Sequence, residues 1–277
     1  MSYLGNEETL VELPAIEYLE NKLGYNFIHG KELTSISGER DSLADVVLSK
    51  RLKASLRKLN PWMNEGNLDR AIRYISRADS LGTGLLEINE KIYDALVDLT
   101  FTVEQDLHGD GQKKHHTVHF IDWKNVDNND FLVVRQFEVQ TLSGKSIFPD
   151  IVIFINGIPV VVLEAKSPFL EKGNNESIGK KQAFEQLRRY MNVRDEALGE
   201  GAPRLFYSNF FTGILNRYNA YVGTISSKYN HYSQWKDPHP FKKEEIENYK
   251  DCGQNIFIQG FLEKTNLLDL MRNFIVF

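Results

Sequence analysis

The sequence predicts an α/β protein in which a sheet is enclosed by helices, and three observations predict it. Apolar residues recur at helical spacing through most of the first hundred positions. The pattern then changes to short, nearly all-apolar runs, two of them joined by Asn156-Gly157. A helical pattern resumes directly after those runs. The chain has 277 residues, 42% hydrophobic and 26% charged, the balance of an ordinary globular protein. That length suits one large or two small domains and buries a sizeable core without staples.

Taken in order, Leu10, Leu13, Ile16, Leu19 and Leu23 predict a helix over 7–23, stopped at Gly24, with Pro14 in its first turn or at a bend. A second helix is predicted over 42–59, with Leu48, Leu52, Leu56 and Leu59 as its apolar stripe, ended by Asn60-Pro61. A third is predicted over 68–76 and a fourth over 87–99. Residues 117–122, 131–139, 148–155 and 158–166 then read as strands. Asn-Gly between two apolar runs is the strongest short-range hairpin signal. Strands this apolar belong to a sheet covered on both faces. A helix follows over 179–192, with Ala183, Leu187, Tyr190 and Met191 on one side. Short strands are predicted at 205–207, 211–216 and 220–224, and a last helix at 266–274.

Composition removes several function classes. One cysteine, Cys252, leaves no internal disulfide framework and no Cys-rich zinc site, and reads as an inert thiol. The longest uncharged apolar run, Ile151 to Leu163, is 13 residues, too short to span a bilayer. Glu7, Glu8 and Glu12 stand where a signal peptide would need apolar residues. The expectation is a cytoplasmic protein with no membrane partner. The net charge of −5 excludes a globally basic nucleic-acid binder, though not a local basic groove. No repeat of 20–50 residues is visible.

The chemistry concentrates in Phe148-Pro149-Asp150 and Glu164-Ala165-Lys166, at the open ends of the hairpin. Glu164 and Lys166 are two apart on a strand and share a face. Charges ending an apolar strand are costly unless paired or metal-bound. A divalent cation between two carboxylates turns their repulsion into a binding site, and Mg²⁺ prefers such oxygen ligands. Register tests the idea. A two-residue loop at Asn156-Gly157 pairs Ile155 with Ile158 and places Asp150 opposite Leu163, facing away from Glu164. A shared metal therefore requires a one-residue shift: a three-residue connection with Gly157 at positive φ, or a bulge before Pro159.

These residues resemble the PD-(D/E)xK nuclease motif. The stretch from Asn156 to Lys166, with Phe131–Gln136 before Pro149-Asp150, further resembles the N-terminal nuclease domain of the restriction (R, motor) subunit of type I restriction–modification enzymes. So do Leu23-Gly24-Tyr25 and Gln186-Leu187-Arg188-Arg189-Tyr190, the QxxxY element, and the segment from Leu267 to Phe277 resembles the approach to that family's helicase part. Ala165 departs from the pattern, where relatives often carry Leu; only its carbonyl is needed. The resemblance implies a restriction-endonuclease-like core with a mixed central sheet, a nuclease domain over 1–260, and in 261–277 the start of a connection to a motor. It implies that Asp150, Glu164 and the Ala165 carbonyl hold Mg²⁺, that Lys166 orients the attacking water or stabilises developing charge, and that Gln186 and Tyr190 position the DNA or the lysine–metal cluster. A glutamate of the first helix would complete the set; Glu12 is chosen, with Glu8 in reserve.

The implied activity is endonucleolytic cleavage of double-stranded DNA with little sequence preference, after ATP-driven translocation by a motor in the full-length subunit. Partners would be the methyltransferase (M) and specificity (S) subunits. ATP would bind only the full-length motor: the loop-like GNNESIGKK of Gly173–Lys181 has five residues between its glycines and Lys181 in place of Ser or Thr. Two rival readings stay open: a nuclease fold kept as a docking or DNA-binding module without chemistry, and a stand-alone DNA repair or modification-dependent nuclease. Arg188, Arg189 and Arg194 beside the site, and the stripe Lys50, Lys53 and Arg57 on the second helix, are candidate phosphate contacts, weighed against solvated faces. His115, His116 and His119 read as surface histidines, and Tyr229, Tyr232 and Trp235 as packing residues.

Overall fold

The computed structural model describes residues 6–171, 178–194, 199–275 and 277. A seven-stranded mixed sheet forms the centre, in the order β1 (Asn26–His29), β4 (Phe131–Arg135), β7 (Ile151–Ile155), β8 (Ile158–Ala165), β9 (Phe211–Leu215), β10 (Ala220–Gly223) and β11 (Ser233–Gln234). β1 runs parallel to β4, and β8 parallel to β9; the other neighbours are antiparallel. Every residue of β7 and β8 is buried, so both faces are covered, as their apolar composition requires.

The first helical pattern divides at Pro14. That residue has no N–H to donate to the preceding turn. A wider π turn, Glu8–Glu12, precedes α1, Leu13–Asn21, and Gly24 ends the segment at φ +67°. The helical lobe holds α2 (Ser49–Leu59), α3 (Glu65–Ser76) and α4 (Leu85–Leu96). Two small ladders, β2 (Thr102–Gln105) with β3 (Lys114–Thr117) and β5 (Val139–Gln140) with β6 (Ser146–Ile147), flank the sheet. α5 (Ile178–Tyr190) crosses from β8 to β9, and α6 (Gly253–Phe261) and α7 (Lys264–Asn273) close the chain. α1 and α6 are tied by the Tyr18 hydroxyl donating to Gln259 at 2.5 Å.

Several expectations are corrected. Residues 42–48 are not helical: Val46, Val47 and Leu48 are buried ahead of α2, and the Leu48 N–H donates to the Gly157 carbonyl at 2.9 Å. Of 117–122, only Thr117 lies in a strand; Phe120 and Ile121 fill the core from irregular backbone. Residues 205–207 fall in and after a 3₁₀ turn, Pro203–Phe206, because Pro203 opens a turn and supplies no ladder donor. The Gly173–Lys181 loop lies mostly outside the described residues; Gly179 to Lys181 belong to α5. Tyr232 and Trp235 pack edge-on against Phe184 and Phe261, and Cys252 is a buried free thiol.

The Asn156-Gly157 turn has both residues at positive φ, +54° and +81°, the signature of a two-residue type I′ hairpin. It is sealed inside the protein. A Cβ on Gly157 would lie 2.5 Å from the Leu48 carbonyl oxygen and 2.8 Å from the Leu52 nitrogen. Gly157→Ala therefore meets both strain and backbone clash, and is expected to lower the unfolding free energy by about 3 kcal/mol in urea denaturation. A loss under about 0.5 kcal/mol would show that α2 is free to withdraw from the turn.

Candidate active site

The register shift required by the sequence is present. Ile155 pairs with Ile158 and Phe154 with Pro159, but Ile153 pairs with Val161, so Val160 bulges out of the ladder. The bulge lies just after Pro159 rather than before it, and the connection keeps two residues. With Ile151 opposite Leu163, the next position places Asp150 opposite Glu164. On the other side Arg135 pairs with Ile151, and the Gln136 N–H donates to the Asp150 carbonyl at 2.9 Å. Gln136, Asp150 and Glu164 thus form a row across three strand ends, on one face.

The row is tightly bonded. Asp150 Oδ2 accepts from the Ala165 N–H at 2.8 Å, and Oδ1 from Gln136 Nε2 at 3.0 Å. Gln136 Nε2 also reaches Glu12 Oε2 at 3.1 Å. The Lys166 ammonium donates to Glu164 Oε1 at 2.7 Å and to the Ala165 carbonyl at 2.8 Å. Glu164 Oε2 is buried without a donor. Carboxylate oxygens of Glu7, Glu12 and Asp150 lie within 4.8 Å of one another. Of the two first-helix glutamates considered, Glu12 joins the cluster. Glu8 instead binds Arg135 at 2.6 Å.

Burial sets the proton affinities. Desolvation, then the charge of Asp150, lifts Glu164 well above the ordinary carboxylate range. Desolvation raises Asp150 too, against the opposing pull of the Ala165 N–H and Lys166. Glu12 is pushed up to about 7, by burial first and Asp150 second, and Glu7 is raised, chiefly by burial. Burial alone would depress Lys166; the Glu164 carboxylate more than offsets it and holds the ammonium charged.

A model of the type I restriction enzyme R protein N terminus matches residues 5–231. The chain belongs to that family. It is 30% identical to the type I restriction enzyme HindI endonuclease subunit of Haemophilus influenzae, over 98% of this chain and 24% of that protein. It is 28% identical to the putative type I restriction enzyme MjaIXP endonuclease subunit of Methanocaldococcus jannaschii, over 98% of this chain and 26% of that protein. The chain thus spans about a quarter of the length of these relatives. Among the described residues no helix is long and apolar enough to cross a membrane.

In this R-protein N terminus, α5 stands beside the row. Gln186 Nε2 donates to the Tyr190 hydroxyl at 2.6 Å, which donates to the Phe148 carbonyl at 3.2 Å and so tethers the approach to Asp150. A cleft of about 870 Å³ opens there, lined by Lys166, Gln186, Arg189 and Arg194 among others. Arg194 is held by Glu200 at 2.6 Å. Arg188 turns away, to the Val193 carbonyl and the Phe184 ring. Lys50, Lys53 and Arg57 lie elsewhere: α2 packs at the Gly157 turn, a full hairpin length from Asp150, with Lys53 and Arg57 both paired to Glu65. His115 pairs with Glu104, and His116 packs at a tilt against Trp62.

The donor set fits a hard divalent cation: carboxylate oxygens from Glu7, Glu12, Asp150 and Glu164, the last with an orphaned buried oxygen. Sequence reasoning missed Glu7 and Gln136. Gln136 was within reach of the same register logic applied one strand further. Glu7 carried no signal beyond proximity to Glu12.

Because the folded chain holds the Glu12 proton more tightly than the unfolded chain, its contribution to stability is complete below pH ~4.5 and is lost as pH rises through about 7. The metal-free chain is therefore expected to lose melting temperature from pH 5 to 7 more steeply than Glu12→Gln, in which no proton titrates. Parallel profiles for the two proteins would remove Glu12 from the coupled cluster.

Proposed function

We propose that this chain is the nuclease part of a type I restriction endonuclease subunit, cutting double-stranded DNA with Mg²⁺ and with little sequence preference of its own. The observation that carries the reading is the aligned row of Gln136, Asp150 and Glu164, with Lys166 on Glu164, opening on a cleft edged by Arg189.

In this reading Asp150, Glu164, the Ala165 carbonyl and Glu12 hold the cation, with Glu7 at its edge. A Mg²⁺ ion held by these oxygens would supply Lewis acidity to the scissile phosphate and to the attacking water. Lys166, charged and reaching the cleft, stabilises negative charge developing on the phosphate or orients the water. Gln136 keeps Asp150 and Glu12 in fixed relation. Gln186 and Tyr190 set the position of the 148–150 segment, and Arg189 draws the phosphate backbone in, with Arg194 paired to Glu200. The remainder of the full-length subunit would supply ATP-driven translocation, the M and S subunits the target, and the bacterial or archaeal cytoplasm the setting; residues 261–277 would lead towards the motor.

Mg²⁺ or Mn²⁺ binding by calorimetry, with plasmid nicking in the same buffers, tests this. Asp150→Ala is expected to weaken metal binding by about 10- to 100-fold or more and to abolish any nicking. Metal binding with no nicking by the chain alone would be consistent with control by the motor and partners. Equal binding by chain and variant would leave Asp150 without its role and favour a docking module.

A further inference from the structure

The strongest unassigned feature lies on the helical lobe. Arg70, Arg73 and Arg77 are spaced i, i+3 and i+7 along α3 and at its C-terminal end, so they share one face. All are exposed. They line a concave cleft of about 510 Å³ together with Ser80, Thr100 and Thr102, and no carboxylate lines it. Among the described residues none of the three forms an ion pair. The acids of the same helix are spent towards α2, where Glu65 pairs with Lys53 and Arg57 and Asp69 lies 3.8 Å from Lys53. In a chain of net charge −5, three unpaired guanidinium groups gathered in one concavity have no internal use.

Arginine forks and hydroxyls suit phosphate oxygens. At 1.5 Å per residue the three side chains spread over about 10 Å of helix. Phosphates of one DNA strand advance about 3.4 Å along the duplex axis, so that length matches three or four consecutive phosphates rather than a single one. We propose that the cleft of Arg70, Arg73 and Arg77 is a second, sequence-independent contact for the phosphate backbone of duplex DNA, separate from the cleft at Lys166. The choice of duplex as the source of phosphate rests on the nuclease reading; the phosphate chemistry does not.

The test is fluorescence anisotropy of the whole chain with a 20-base-pair duplex across a salt series, without divalent metal. Arg70→Ala/Arg73→Ala/Arg77→Ala is expected to lower affinity at least tenfold and to reduce the log–log salt slope by about 2–3, near 0.9 per lost phosphate contact. The corresponding triple Lys variant should keep most of the slope, and both should melt like the parent because the side chains are exposed. Unchanged affinity and slope in the Ala variant, or no duplex binding by the parent at low salt, would overturn the proposal. So would competition by millimolar inorganic phosphate alone, which would mark a small-anion site. Asp150→Ala keeps the two readings apart: a nuclease reading that fails on metal binding leaves the arginine-dependent slope standing, and an absent slope leaves the metal site standing.

Discussion

The ladder between β7 and β8 slips by one residue at Val160, and the arrangement of the charged end depends on that slip. Without it the tight Asn156-Gly157 turn would set Asp150 against Leu163 and send its carboxylate to the face opposite Glu164. The bulged residue is not left unsatisfied, since the Val160 carbonyl accepts the Phe210 N–H at 2.8 Å. The turn end is fixed just as firmly. The Asn156 side chain donates to the Phe120 carbonyl and Asn129 and accepts from the Asp130 N–H, all at 2.8–2.9 Å. A hairpin anchored at one end and shifted by one residue near that anchor delivers its far end in a single defined register.

What arrives there is under-compensated charge. Three carboxylates converge, with Glu164 opposite one of them, and the cations bonded to this group are Lys166, spent on Glu164 and the Ala165 carbonyl, and Arg135, shared between Glu8 and Glu12. Gln136 supplies a neutral bridge, which orders Asp150 and Glu12 without cancelling their repulsion. Burial first, and the charge of Asp150 second, favour proton uptake here, which pushes Glu12 up to about 7 and Glu164 well above its usual range. A divalent cation would relieve the same repulsion, so protons and metal compete for one set of oxygens. The π turn before Pro14 has a part in this. It sets Glu7, Glu8 and Glu12 on the chain just ahead of a fixed α-helix, and only two of the three face the row.

The sheet centre and most of the site were legible because their signals are local. Asn-Gly marks the hairpin, all-apolar runs mark doubly covered strands, and charges ending such a strand demand a reason. The need for a bulge followed from counting alone, although its place after Pro159 did not. β1 was illegible: Asn26–His29 is short and half-exposed, and it exists as a strand because β4, a hundred residues away, offers a parallel edge. Residues 46–48 were misread as helix because Leu48 continues the leucine spacing of α2, whereas its N–H is taken by the Gly157 carbonyl. α6 lacks strong amphipathic contrast, since it is buried nearly all round and Gln254 and Gln259 bond inward.

The basic residues show why charge in a sequence does not reveal its use. Lys53 and Arg57 drew notice as a stripe, yet the fold returns them to Glu65. Arg70, Arg73 and Arg77 were masked by Glu65 and Asp69 nearby in the sequence, and packing turns those acids to Lys53 and Arg57 of α2 while the arginines line a cleft without a carboxylate. That difference in partners has a consequence for any polyanion approaching this chain. The carboxylate row repels it wherever protons and metal are absent, so attraction must come from surfaces outside the row. In the proposed reading Arg189 would supply one contact at the Lys166 cleft and the α3 arginines another at a separate cleft. Two separated cationic contacts fix the direction of a stiff rod as a single contact cannot, and a duplex is stiff over the dimensions of this domain.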